Sequence, residues 1–238
     1  MHQLACLRRM VWVGLGWALG GCAAVGHVTQ LDDNWYHVLH VGGNDSLART
    51  VAKHNVFVQQ HGDTLVFTPP ATTEAARPVS WYYRLQPEHH VLLLKRHFDV
   101  DVFTLPFKVR PPRAGVPVQL NTNFNAALYV GQRLDFYYLN SRRATPWRQA
   151  PRIRATGLGY GLFLGLGSAN ISEYVTQQQN TFEYEGMALH AGAATIYDAL
   201  NFNVGLAVGF DHLLGADGRY WVYQHRPWFG VLFGLDLN

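Results

Sequence analysis

Cysteine is almost absent from the 238 residues: Cys6 and Cys22 are the only two, and both lie at the amino-terminal end. The rest of the chain therefore has no thiol for a disulfide framework, a cysteine metal site or a cysteine nucleophile. Charge is also sparse, at 15% Asp, Glu, Lys and Arg, and segments 155–168 and 199–210 contain none of the four. The formal charge is only +3, which gives no electrostatic case for nucleic acid.

What is present begins with a targeting segment. Arg8 and Arg9 form a positive n-region, Met10 to Leu19 an apolar h-region, and small residues follow. The apolar run is shorter than the about 20 residues of a spanning helix. Leu19-Gly20-Gly21-Cys22 resembles the lipobox of bacterial lipoproteins. The resemblance implies cleavage between Gly21 and Cys22 and lipidation of Cys22, with 1–21 the signal peptide and 22–34 a lipid-anchored tether. An ordinary secretory signal or a short membrane anchor are the alternatives. Loss of Arg8 and Arg9 leaves 17 Lys and Arg against 16 Asp and Glu, a formal charge of +1 when the new amino terminus is acylated.

Beyond the tether, "NWYHVLHVGG" and "NVFVQQHGDTLVFTPP" read as short strands, the second folding back near His61-Gly62-Asp63. "PPATTEAARP" reads as a linker. Residues 35–78 are thus expected to form a small β hairpin unit and linker, ahead of a second region at 79–238.

In that second region one pattern recurs. "TGLGYGLFLGLGS" sets Leu158, Tyr160, Leu162, Leu164 and Leu166 against Gly157, Gly159, Gly161 and Gly165. In a strand, alternate side chains point to opposite faces, so one face is apolar and the other nearly bare. "NFNVGLAVGFD" sets Phe202, Val204, Leu206, Val208 and Phe210 against Gly205 and Gly209. "WFGVLFGLDLN" sets Phe229, Val231, Phe233 and Leu235 against Gly230 and Gly234, and "QLNTNFNAALYVG" follows the same plan. A soluble sheet normally carries Lys, Glu, Thr or Arg on its open face. The pattern instead predicts an all-β fold, a small antiparallel transmembrane-type β-barrel of about eight strands. Its apolar rows would face lipid and its glycines a cramped lumen.

Six long segments are visible, near 98–109, 119–139, 152–168, 182–197, 201–213 and 221–237, so two more strands are expected from 80–97, 119–139 or 56–67. The phase of "FDVDVFTLPF" slips, which predicts a bulge near Phe103 or Thr104. "YDALN" suits a short periplasmic turn, and 168–181 and 212–224 suit outer loops. Tyr197, Trp221 and Trp228 fall near strand ends, where interfacial aromatics are expected.

"FDVDVFTLPFKVRP", "LNTNFNAALYVGQRLD", "NFNVGLAVGFDHLL" and "YQHRPWFGVLFGLDLN" together cover most of 98–238. In motif order and asparagine-ended final strand they resemble a group of outer-membrane β-barrel proteins of Bacteroidota. The resemblance implies a fold and a location, with outer-membrane lipid as the partner, and no activity.

Sites for chemistry are not apparent. A phosphate-binding glycine loop opens a helix after a strand, whereas the alternation of 156–168 runs straight through. The twelve histidines, His37, His40, His54, His61, His89 and His90 among them, show no metal-ligand spacing and are expected on loops or surfaces. Asp99 and Asp101 share a strand face and are expected to line a polar surface or lumen. Asn44-Asp45-Ser46 matches a glycosylation acceptor by form alone. No catalytic residue, metal or cofactor is nominated. The expectation is a non-enzymatic, lipid-anchored outer-membrane protein with a structural, adhesive or narrow-pore role. The alternative is a periplasm-facing lipoprotein whose soluble β-barrel or sandwich binds a small apolar ligand.

Overall fold

The computed structural model describes residues 26–28, 30–70, 79–145, 148–198 and 203–234. Gly21, Cys22, Phe202 and Leu235, and with them the cleavage and lipidation expectations, lie outside the described residues. In chain order the elements are β1 (Gly26–Val28), β2 (Asn34–Val41), α1 (Asp45–Val51), β3 (Asn55–His61), β4 (Thr64–Thr68), β5 (Trp81–Arg84) and β6 (Val91–Arg110). There follow β7 (Gln119–Asn121), β8 (Asn125–Thr145), β9 (Arg148–Ile171), β10 (Tyr184–Asp198), β11 (Asn203–Leu213) and β12 (Pro227–Gly234).

The fold is all-β, with one antiparallel sheet of twelve strands, part of which rings round on itself. β6 pairs with β8, β8 with β9, and so on through β10, β11 and β12, which pairs back onto β6. The expected count of about eight is corrected on both sides: the sheet has more strands, and the ring has six. The six long segments seen in the sequence are the six ring strands. The extra strands sought at 56–67 and 80–97 do not enter the ring, except that 91–97 forms the start of β6. Going round by register, Val100 leads to Val130, Leu162, Ala193, Val208, Phe229 and then Val109, so the circuit returns to β6 further along than it began. That stagger requires the strands to tilt across the ring axis.

Strands β6, β8 and β9 are longer than the others, and each runs on beyond the ring. There they form the middle of a second part of the sheet, flanked by β2, β3, β4 and β5 on the β6 side and by β1 on β9. This is the sheet end; segments 111–118, 172–183 and 214–226 cluster at the opposite, loop end. The hairpin at His61-Gly62-Asp63 is present, with His61 paired to Thr64 and Gly62 at φ 62°. Helix α1 was not anticipated. Asn44 caps it, accepting a hydrogen bond from the Leu47 N–H at 3.0 Å, and Leu47 and Val51, four residues apart, are buried. These two join Tyr36, Val38, Val58, Phe67, Leu93, Leu139 and Ile153 in the core of the sheet end.

The bulge on β6 lies two residues past its expected place. Phe103 and Leu105 point inward on the same face as Asp99 and Asp101, while Phe107 and Val109 point outward. The phase changes at Pro106, where Val231 pairs with Phe107 but Phe233 pairs with Thr104. Proline has no N–H to donate to the ladder, so the bulge falls where a hydrogen bond is missing anyway.

On the inner face of the ring the glycines of β9 press against the backbone of the adjacent strand β8. A Cβ on Gly161 would lie 2.4 Å from the Val130 carbonyl oxygen, and one on Gly165 would lie 2.2 Å from that of Ala126. These positions accept glycine alone without a shift of backbone. Gly165→Val is therefore expected to destabilise the fold by about 1–3 kcal/mol or more through overpacking, read as a lowered unfolding midpoint. Ala193→Val, on the exposed face of the neighbouring strand, should leave the midpoint unchanged.

Candidate functional site: the outer face and filled interior of the ring

The outer face is built from alternate residues of all six strands. In β9, Leu158, Tyr160, Leu162, Leu164 and Leu166 are exposed, with Leu162 at 68%. Leu206, Val208 and Phe210 of β11 and Phe229 and Phe233 of β12 are exposed as well, and Val204 and Val231 partly so. Phe98, Val100 and Val102 of β6, Leu128 and Val130 of β8, and Met187 and Leu189 of β10 complete the circuit. Every residue expected to face lipid that falls within the described side chains is thus on the outer surface. Between the row holding Leu158 and the row holding Leu166, no Asp, Glu, Lys or Arg points outward. Leu158 to Leu166 spans ~26 Å of strand at ~3.3 Å per residue, or about 20 Å of height at a tilt of ~40°.

The inner face carries the other set. Gly157, Gly159, Gly205, Gly209 and Gly230 are buried, and Gly161 and Gly165 nearly so. Gly234 ends β12. The space that the glycines leave is not a channel. Phe103, Leu105, Tyr129, Phe163, Trp228 and Leu232 fill it as one cluster, with the Phe163 ring 5.5 Å from Phe103 and 5.9 Å from Trp228. Trp221 and Trp228 are not in an outer aromatic girdle. Trp228 is fully buried in the ring and Trp221 is buried in the loop-end cap with Val175, Val222 and Tyr223. Trp228 shares its face with Gly230 and Leu232, so its direction follows from the alternation. His190 is not a surface histidine either: it points inward on β10, at 1% exposure, with Phe163 and Trp228 as ring neighbours.

The charge-paired groups inside the ring lie toward its two ends, with His190 and Tyr129 among the aromatics between them. Toward the loop end, Lys108 Nζ donates to Asp211 Oδ1 at 3.0 Å, and Arg110 donates to Asp211 Oδ2. The same cations lie over aromatic rings, Lys108 Nζ at 4.5 Å from the Trp228 centroid and Arg110 at 5.1 Å from that of Trp221. Toward the sheet end, Arg133 binds both Asp135, at 2.9 Å, and Asp198. Asp99 and Asp101 are buried on the inner face close by. A cavity of about 150 Å³ opens there, lined by Gln30, Asp32, Arg133, Asp135, Tyr137 and Asp198. Burial, with Asp135 beside it, pushes the Tyr137 hydroxyl up to about 12, so it stays a neutral donor.

Sequence reasoning missed the Lys108–Asp211–Arg110 group, although Lys108 and Arg110 alternate with Phe107 and Val109 and so had to point inward together. Among the described residues no cluster of three or more His, Cys, Asp or Glu could hold a metal ion. The tilted pair His40–His90 and the stacked pair His212–His225 have no acidic third member among the described residues. No nucleophile, base and orienting group converge in either polar cluster. No family model matches the chain, nor does any curated protein or solved structure.

A buried carboxylate shared by two cations is costly to remove, because both are then left uncompensated. Asp211→Asn is expected to destabilise the ring by about 3–5 kcal/mol, whereas Lys108→Met, which leaves the Arg110–Asp211 pair intact and fills similar volume, should cost clearly less. Denaturant midpoints of the two variants check the order.

Proposed function

We propose that this chain is an outer-membrane β-barrel lipoprotein of the Bacteroidota type, anchored at Cys22, whose six-stranded ring sits in the bilayer as a closed structural body. The observation that carries the proposal is the uncharged apolar face that continues right round the ring. Exposed apolar patches on soluble monomers rarely exceed a few hundred Å², and an antiparallel sheet facing water alternates with charged side chains. The about 20 Å height of the face is close to the ~25 Å apolar band of outer-membrane barrels. A closed ring also leaves no unpaired edge in the hydrocarbon, which a membrane requires.

Six strands are fewer than the eight of the smallest bacterial barrels, and the consequence is visible in the interior. There is room for one layer of aromatic side chains and none for a water path, so of the structural, adhesive and pore roles the packing favours the structural one. The sheet end, with its helix and hydrophobic core, would lie on the periplasmic side, where the tether from Cys22 also belongs. The alternative of a soluble carrier for an apolar ligand draws less support, since the ring interior is occupied by Phe103, Phe163 and Trp228 and its greasy surface faces outward.

Membranes from cells making the full chain test the proposal. The protein is expected to resist carbonate and urea extraction and to migrate differently on gels before and after heating. A Leu162→Arg/Leu206→Arg variant, with charge at mid-height, should lose about 2–4 kcal/mol per arginine of insertion energy and appear in the soluble fraction or be degraded. Release of a Cys22→Ser form into buffer as a folded monomer contradicts the proposal.

A further inference from the structure

The region immediately beyond the apolar face at the sheet end has a composition of its own. Residues 136–172 contain five arginines, Arg142, Arg143, Arg148, Arg152 and Arg154, and no Asp or Glu. In β9, Ile153, Ala155 and Gly157 are buried, so the even-numbered residues form one continuous outward row: Arg152, Arg154, Thr156, Leu158, Tyr160. No register shift interrupts the pairing of β8 with β9 between Asn125 and Arg143. Arg152, Arg154 and the apolar leucines of β9 therefore share a single face, one below the other.

Cross-strand register places further groups in the same band. Arg154 pairs with Tyr138, and Arg152 with Asn140. Arg96 is exposed and pairs with Leu134, which pairs with Leu158 at the lower rim of the apolar face. Tyr138 stacks on the His90 ring at 4.8 Å, and His90 lies 4.7 Å from His40. Burial, with His40 and His89 nearby, holds the His90 imidazole below its ordinary value, so the positive charge of the band is that of its arginines. Among the described residues none of Arg96, Arg142, Arg152 and Arg154 has a carboxylate partner. This contrasts with Arg110 and Arg133, which are paired inside the ring.

Depth agrees with charge. Arg154 lies four residues from Leu158, ~13 Å along the strand and about 10 Å in height at a tilt of ~40°. The polar layer on each side of a bilayer is about 5–7 Å thick, and a long arginine side chain reaches back toward it. A row of unpaired guanidiniums beside a tyrosine, directly under a hydrocarbon-facing belt, has the chemistry that recognises phosphate in a bidentate way.

We propose that the outward band of Arg96, Arg152 and Arg154, with Tyr138 at its centre, is a docking surface for the phosphates of anionic phospholipids in the leaflet facing the sheet end. The surface rests on the membrane assignment of the ring. It fixes how deep the ring sits and which way up, because the loop end mixes its charges: Arg113, Arg219 and Arg226 lie there among Glu173, Glu183, Glu185 and Asp217.

The test uses the full chain reconstituted in equimolar phosphatidylglycerol and phosphatidylcholine vesicles, extracted in mild detergent, with the co-purified lipids counted by mass spectrometry. Retention is expected to favour phosphatidylglycerol by about fivefold for each arginine engaged. Arg96→Gln/Arg154→Gln should bring the ratio close to one, while Arg226→Gln at the loop end should leave it unchanged. Equal retention of the two lipids by an integrated wild-type protein, or a preference that survives the double substitution, overturns this surface alone. Displacement by tail-free glycerophosphoglycerol as effective as by the lipid also overturns it, since the site would then read free phosphate. Protein that never enters the vesicles overturns the membrane assignment and this surface together.

Discussion

The pairing of β12 with β6 is the contact on which the rest of the structure depends. Without the ladder from Phe229–Val109 to Gly234–Phe103, the six long strands would form an open sheet with two unsatisfied edges and two accessible faces. Closing it assigns every side chain of those strands to an inside or an outside. The glycines then have a reason to be glycine: a six-stranded ring curves so tightly that Gly161 and Gly165 face the backbone of the adjacent strand at contact distance. The same closure forces the leucine and phenylalanine rows outward, where nothing among the described residues covers them.

Polar chemistry is partitioned by the same geometry. Lys108 and Arg110 are tolerated inside because Asp211 lies between them and aromatic rings cover their outer surfaces. Arg133 serves Asp135 and Asp198 at the other end. Each of these groups stands toward one mouth of the ring, and the aromatic cluster fills the space between them. Strands β6, β8 and β9 carry the outward apolar face into the sheet end without a break, so that the charge change from leucine to arginine happens along a single strand rather than between domains.

How far this was legible in the sequence differs from element to element. Strict alternation over 156–168, 203–210 and 229–234 identified strands and their faces, because period two leaves no freedom once one residue is placed; extended one residue further it turns Trp228 inward, against its reading as an interfacial aromatic. The alternation failed at β6, where apolar residues occupy both faces: Phe103 and Leu105 fill the core and Phe98 and Val102 the outer surface. Hydrophobicity alone cannot separate an inner apolar row from an outer one, so the phase slip reads as a bulge near Phe103 or Thr104 instead of at Pro106. Helix α1 escaped because its seven residues hold a single buried pair at helical spacing, within a region otherwise patterned as strands. The strand count was legible as six, and the demand for eight came from other barrels rather than from these residues. The interior ion groups depend on which strands become neighbours across the ring, Lys108 and Asp211 being far apart in the chain, and no local pattern carries that.

On the proposed assignment the outer face of the ring is in contact with hydrocarbon. Spin labels placed singly at Leu162 and Val208, and at Thr64 in the sheet end as a reference, measure it directly in reconstituted vesicles. Collision with oxygen, which concentrates in the acyl region, should dominate at positions 162 and 208 and collision with a water-soluble nickel chelate at position 64. Nickel accessibility at 162 and 208 equal to that at 64 would contradict the claim.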